Sequence, residues 1–423
     1  DHCVTGVQTC ALPIYRTQFA LQSPMNKTRL KVEQELRRQF GQIINDKQTE
    51  RSLLLIQGIL ESKTVNLSDC AESLSRLPDV QKSQKQLYAM FIDHFQTGRY
   101  EQLLKCYFLV VFYLTFHLSD GRLVKDRTEW QIGNRWHNLL VLGYIIENDH
   151  KVFIPLVWLD LGQRKNSSTQ ERIFLMDRLR AWWKATNIPL PDLILYADRE
   201  FIGSDWFDYL VKNKIGFVIR LRKNQKFRIW RNNQMMEKEY STAILARYLK
   251  RYNLSEIEII SADEIVIPFR VTNNDAQQVL APNKEQWLLA AMVEDPGNAS
   301  THYFDRWTIE TAFGHTKSKG LNLEDFNLVG SHKIEIMLGI VSIVYALSVR
   351  QSFEEKLHED VKIKTYKDGK QYPAKSIFKL GIERLRKIVR NVKELFKLIL
   401  QIFNQVFEIL EHKSYILNKS IVQ

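Results

Sequence analysis

Between residues 25 and 118 apolar side chains recur at intervals of three and four, the period of a helix buried along one stripe. TERSLLLIQGIL (49–60), NLSDCAESLSRL (66–77) and KSQKQLYAMFIDHF (82–95) predict three short amphipathic helices. Turn signals around Lys63–Asn66 and Leu77–Asp79 separate them. The period changes at Gly121. RLVKDRTEW, NLLVLGYIIEND and VFIPLVWLDL are β-rich runs split by short polar turns, which predicts a three-stranded antiparallel meander. STQERIFLMDRLRAWWKAT returns to a helical period, with Ser168 or Thr169 as N-cap and Glu171 in the first turn. PDLILYADREF reads as a buried strand ending in acids, SDWFDYLVKNK as a helix and IGFVIRLRKN as a strand. The order is β-β-β-α-β-α-β. A β-leaning tract follows at about 226–293, and a helical pattern starts near Thr301 and dominates to the end.

Two runs are apolar enough to raise a membrane question. CYFLVVFYLTFHL (106–118) is interrupted by His117, and IMLGIVSIVYAL (336–347) has 12 residues. A span needs about 20, so both are expected to be buried core elements. Residues 4–14, VTGVQTCALPI, follow neither period. They have no basic n-region or long apolar run for a secretory signal, and too few ligands for zinc. They match the in-frame translation of a short-read sequencing adapter, so residues 1–14 are set aside as an artefact and Met25 is the expected start. Cys70 and Cys106 are then the remaining cysteines, which argues for a reducing compartment rather than a disulfide scaffold.

Charge changes the picture further. Lys and Arg total 60 against 48 acids, a net charge of +12, and such a surplus suits a polyanionic partner such as nucleic acid. The three N-terminal helices, with Lys82 and Lys85 at the entry to the third, suit either a helix-turn-helix-like DNA-binding module or an ordinary helical bundle.

The candidate chemistry lies in YFDRWTIETAFGHTKSKG. Tyr303, Arg306, Glu310 and Lys317 are spaced so that a helix turning about 100° per residue returns all four to one face. A carboxylate flanked by two cations and a phenol suits a metal ligand with phosphate-gripping neighbours; the alternative is a solvated face with i,i+4 pairs. Asp126 in the first strand and Asp198 closing the fourth would converge with Glu310, because strands one and four are central neighbours in a sheet of this order. Three carboxylates suit two Mg²⁺ or Mn²⁺ ions that activate water or a 3′-hydroxyl against a phosphodiester. His315 on the same helix is read as structural.

These residues resemble bacterial insertion-sequence transposases of the DDE type, of the insertion-sequence-four group. The quartet fills each position of that group's Y-(2)-R-(3)-E-(6)-K signature, and DRTEW, NSSTQERI and ADREFIGSDWF are similar to the segments around its first and second aspartates. The resemblance runs from about 120 to 350. It implies a mixed α/β (α+β) chain: a ribonuclease-H-like catalytic domain at 119–350 with a β-strand insertion at about 226–293. A helical DNA-binding domain at 25–118 precedes it and a helical region at 351–423 follows. It implies Asp126, Asp198 and Glu310 as the metal-binding triad for Mg²⁺, with Mn²⁺ as substitute, and Tyr303, Arg306 and Lys317 as contacts to the transposon end. Asp120, Asp149 and Asp160 are rival first aspartates. Trp230 and Trp287 are both candidates for a base-stacking tryptophan, and both also read as core.

VIRLRKNQKFRIWR (218–231) has six cations and no acid. Arg220, Arg222, Lys223 and Lys226 are therefore candidate DNA contacts, against the alternative of a charged, solvated strand edge. FKLGIERLRKIVRNVKELFKLILQIF, near the C-terminus, is basic on one side and apolar on the other, which leaves dimerisation, DNA contact and packing open. The expectation is a cut-and-paste transposase, a metal-dependent endonuclease and strand transferase of a mobile element. It would act on terminal inverted repeats and target DNA, as a homodimer when DNA-bound, in the bacterial cytoplasm at the nucleoid. A nuclease or resolvase of the same fold and a non-catalytic repressor are the rival readings.

Overall fold

In the computed structural model, residues 46–403 are described, apart from 133, 187, 261–264, 273–286, 295–301, 360, 366–368 and 370. The stretch read as an adapter translation and Met25 lie outside the described residues. Four helices come first: α1 (Asp46–Ser62), α2 (Leu67–Ser75), α3 (Gln84–Phe95) and α4 (Tyr100–Thr115). Their starts follow local chemistry. The Asn66 side chain accepts from the backbone of Ser68 and Asp69, and Ser83 with Gln86 forms a capping box. The apolar run from Cys106 is the buried second half of α4. Cys70 and Cys106 are both buried free thiols.

The meander is β1 (Ser119–Ile132), β2 (Arg135–Glu147) and β3 (Lys151–Asp160), antiparallel in both pairings. Between Leu142 and Gly143 the pairing of β2 with β3 skips Leu156 of β3, and there a Cβ on Gly143 would stand 2.0 Å from the Ile154 carbonyl oxygen. Only glycine admits that approach. α5 (Thr169–Lys184) is capped by Ser168 with Glu171 in a capping box. β4 (Ile194–Ala197), α6 (Ser204–Lys212) and β5 (Gly216–Arg220) complete the first half of the molecule. β4 runs parallel to β1 and to β5.

The tract read as β-leaning also contains a helix. β6 (Lys226–Arg231) and β7 (Gln234–Ser241) form a hairpin, α7 (Thr242–Tyr252) follows, and β8 (Glu256–Ile260), β9 (Val266–Thr272) and β10 (Trp287–Met292) return. The signals for α7 were present: Ser241 caps its start, Leu245 and Leu249 bury one stripe, and Asn253 ends it in the left-handed conformation. β10 pairs with β5, so the insertion extends the same sheet. Among the described residues that sheet has ten strands, in the order β3-β2-β1-β4-β5-β10-β9-β8-β6-β7.

The helical pattern near Thr301 holds a 3-10 stretch at Phe304–Trp307, then α8 (Thr308–Lys317). α9 (Ser331–Glu354) extends the run read as 12 apolar residues to 24 and passes the boundary drawn at 350. By length and composition it could cross a membrane, yet its apolar window is wholly buried inside the protein. A helix that is apolar on all sides belongs in a core, and α9 packs against α4, β3 and the C-terminal helices. The C-terminal region, expected to be helical, also holds a small hairpin, β11 (Ile363–Thr365) with β12 (Gln371–Pro373). The long basic helix expected over 378–403 is two helices, α10 (Ile377–Ile388) and 392–403. The break comes where Val389 turns extended and the Asn391 side chain accepts from the backbone N–H of Glu394 at 3.0 Å. α10 lies so close to α9 that a Cβ on Gly381 would meet the Ser348 carbonyl oxygen at 1.6 Å. Apolar residues of the N-terminal helices, the sheet and α9–α10 form one continuous core.

Candidate active site

Parallel pairing of β1 with β4 sets Lys125 opposite Ala197, so Asp126 and Asp198 stand one step further along neighbouring strands. The 3-10 stretch and α8 cross beside them. Asp305 fixes that crossing, because it accepts from Arg122 of β1 and from Lys151 of β3 at 2.9 Å. Arg122 also pairs with Asp120 at 2.6 Å and with Glu147. The turn carrying Tyr303 and Arg306 is thereby tied to the meander by charge-assisted hydrogen bonds.

Of the four residues read as one helix face, Tyr303, Arg306 and Glu310 gather at the two aspartates, with Tyr303 and Arg306 flanking and occupying the 3-10 turn rather than a regular α-helix. Arg306 bridges two carboxylates: one guanidinium nitrogen donates to Asp126 at 2.7 Å and the other to Glu310 at 3.0 Å. The Tyr303 hydroxyl donates to Asp198 at 3.5 Å. Lys317 reaches a different spot, the Glu129 carbonyl at 2.9 Å and the Glu324 carboxylate at 3.2 Å.

Electrostatics follow from burial. Desolvation raises the Asp126 carboxyl to about 6, against the lowering pull of Arg306 and the Arg127 backbone N–H. Burial opposes the charge on Arg306, yet Tyr303, Asp126, Asp198 and Glu310 around it hold the guanidinium above its ordinary value. Burial likewise raises the Tyr303 phenol. Glu310 is the exposed member, its side chain 54% accessible.

Among the described residues, no three carboxylate, histidine or cysteine groups stand close enough together to hold a metal ion. Instead a cation of the chain itself, Arg306, lies between Asp126 and Glu310. Carboxylate oxygens are the hard donors that a divalent cation takes, and two of them here are paired with Arg306.

The sequence reading missed the supports of this site. Arg127 makes a two-pronged contact to Glu200, at 2.6 and 2.7 Å, which ties the residue after Asp126 to the turn after Asp198. Arg172 of α5 donates to the carbonyls of Ser167, Glu200 and Ile202 and so holds the same turn from behind. Lys125 points to the other face of β1, fully buried, with its amine 3.7 Å from the Trp206 ring centroid. Burial, with Arg172 nearby, holds that amine well below the usual lysine range. The repeated basic–acidic alternation in KDR and DRE was the available signal.

The rival aspartates have other partners. Asp120 pairs with Arg122, Asp149 meets His358 at 3.0 Å, and Asp160 accepts from the backbone of Asn138 and Gly162 beside His137. Trp287 is buried, 4% exposed, in an aromatic cluster with Tyr303, Phe304 and Trp307. Trp230 is half-buried in β6. His315 stacks on Phe378 of α10 at 4.9 Å, and burial lowers it to about 4. Beside Asp198 a cleft of about 660 Å³ is lined by Arg199, Arg220, Arg222 and Lys223; Lys226 opens β6 beyond it.

A family model described as the transposase DDE domain matches residues 119–347, just over half of the chain. The chain belongs to the DDE transposase family. No curated protein is significantly similar to it. The matched DDE domain starts with β1 and ends within α9, and it includes both aspartates, the insertion and the Tyr303–Lys317 segment. A mixed α/β sheet protein of this kind is compatible with a ribonuclease-H-like DDE domain. Family membership implies DNA binding and a chemistry that generally uses divalent metal ions.

Proposed function

We propose that this is an insertion-sequence transposase of the insertion-sequence-four type, which excises its element by cutting both ends and joins the freed 3′-hydroxyls to target DNA. One observation carries the reading: Asp126, midway along β1, and Asp198, just past the end of the parallel neighbour β4, lie side by side while Arg306 links Asp126 to Glu310. Asp126, Asp198 and Glu310 are the proposed metal ligands, for Mg²⁺ with Mn²⁺ as substitute. Bound there, such ions would activate water or a 3′-hydroxyl and stabilise the leaving oxygen.

The chain's own residues do the rest. Arg306 pairs with Asp126 and Glu310 in the DNA-free protein, then offers its planar donors to phosphate. Tyr303, beside Asp198, positions the end strand through its hydroxyl, and Lys317 holds the backbone further along. Arg220, Arg222, Lys223 and Lys226 contact DNA through the cleft beside Asp198. Residues 25–118 recognise the terminal inverted repeats, and two copies pair the two ends as a dimer, at the bacterial nucleoid.

The test is excision in cells from a plasmid that carries the gene's native flanking DNA, with protein supplied in trans from Met25. Excision by wild type that falls about 10³-fold or more in Glu310→Gln supports the reading, a loss typical of removing a group that acts on the transition state. Excision by both forms would defeat the carboxylate assignment. Binding of the flanks without excision by either would make the chain a non-catalytic DNA-binding protein.

A further inference from the structure

The helix inside the insertion has no role in the site above, and its two faces differ sharply. Thr242, Leu245 and Leu249 are buried beneath it. Ile244, Arg247, Tyr248, Arg251 and Tyr252 fall on the opposite side, within roughly 140° at about 100° per residue. Ile244 and Tyr252 are 46% and 55% exposed, and Arg247 and Arg251 are exposed too. The Tyr248 and Tyr252 rings touch, centroids 4.5 Å apart. Arg251 leans over Tyr252 at 5.7 Å, and Arg231 donates to the Tyr248 hydroxyl at 3.4 Å. Neither Arg247 nor Arg251 forms an ion pair among the described residues.

Charge identifies the occupant. Residues 220–252 hold ten Lys and Arg against two Glu, a surplus of eight within a chain whose net charge is +12. A solvated helix balances its charges by i,i+4 pairs, whereas TAILARYLKRY has three cations and no acid. The face is also continuous with the basic cleft. The Thr242 hydroxyl donates to the Arg222 carbonyl at 2.5 Å, and the Ala243 backbone N–H donates to that of Lys223 at 3.1 Å. α7 therefore starts on the turn that lines the cleft beside Asp198 and carries its cations about 16 Å onward, at 1.5 Å per residue.

We propose that the outer face of α7 is a duplex-DNA backbone site, a second phosphate-binding surface that extends the cleft away from the carboxylates. Arg247 and Arg251 bind phosphates, and the Tyr248–Tyr252 pair with Arg231 supports their guanidinium groups. The proposal deepens the transposase reading and rests on it only for the identity of the partner as DNA.

The test uses the full chain with a fluorescein-labelled random-sequence duplex of about 30 base pairs, because backbone contacts ignore sequence. Anisotropy gives the affinity over a range of salt concentrations. Each lost phosphate contact lowers the slope of log affinity against log salt by about 0.9, so Arg247→Gln with Arg251→Gln should lower it by about 1.8. An unchanged slope would overturn the proposal. A second measurement needs no variant. Phenylglyoxal modification of Arg247 and Arg251, read by mass spectrometry, should fall when the duplex is present. Protection by anionic phosphatidylglycerol vesicles alone, or by raised protein concentration alone, would assign the face to a membrane or a second copy and defeat the DNA assignment. Mg²⁺-dependent strand cleavage on the same protein separates the two readings: cleavage with an unchanged slope overturns only the α7 site.

Discussion

The two ends of the ten-stranded sheet follow opposite rules. In β2 each residue from His137 to Ile146 is buried, and β3 alongside is covered by α4, α5 and α9. In β7, at the far edge, no residue is buried. The covered half holds the carboxylates on strands that cannot shift without unpacking a core, as a preorganised charged site requires. The far side of the sheet bears most of the cation-rich run 220–252, which has ten Lys and Arg against two Glu. One continuous sheet therefore joins a packed site to an exposed edge.

Breaking the link between the covered half and the site should have the largest effect. Arg122 is buried and pairs with Asp120, Glu147 and Asp305, so Arg122→Ala takes a shared cation from three carboxylates and leaves the buried Asp305 with Lys151. Removal of one partner from such a network costs about 3–5 kcal/mol, to be read in denaturant unfolding, and DNA cleavage should fall with it as the 303–306 turn loosens.

A paired substitution sharpens the contrast directly. Ile145→Ala empties a fully buried position and should cost about 2–5 kcal/mol. Met236→Ala, at a residue 44% exposed on β7, should stay within about 0.5 kcal/mol. Similar costs at both positions would erase the distinction between the two ends.

A smaller effect comes from Glu335 of α9, which is buried against the covered half and accepts from the Asp160 backbone N–H at 2.9 Å. Burial raises its carboxyl to about 7, above the ordinary value of about 4.3. The folded state then holds a proton that the unfolded chain releases. Its contribution is full below about pH 4.3 and is lost as pH rises through about 7. The difference in melting temperature between wild type and Glu335→Gln should fall across that window and then level. The smallest effect is expected at Ser168→Ala, which opens the capping box of α5 and should cost about 1 kcal/mol.

Much of this was legible along the chain. The meander and the β-α-β-α-β order follow from a period of two giving way to a period near 3.6, and the quartet with its two aspartates was readable as spacing. The helix α7 was missed although Ser241 and Asn253 marked both its ends, because a short helix between strands is easily absorbed into a β-rich average. The 24-residue extent of α9 was missed for a different reason. Its polar positions, such as Glu335 and Arg350, look like helix ends until Tyr100 and Glu354 are seen to satisfy them.

What the sequence determined alone was local: which segments become helix or strand, where caps begin, and which residue types carry the chemistry. Those depend on neighbours within about four positions, where side-chain period and capping act. Only the tertiary structure decided that Arg306 bridges Asp126 and Glu310, that Arg122 and Arg127 anchor the site, and that the insertion continues the catalytic sheet. Each of these joins residues tens to hundreds of positions apart, through hydrogen bonds and burial that exist only once the strands have paired.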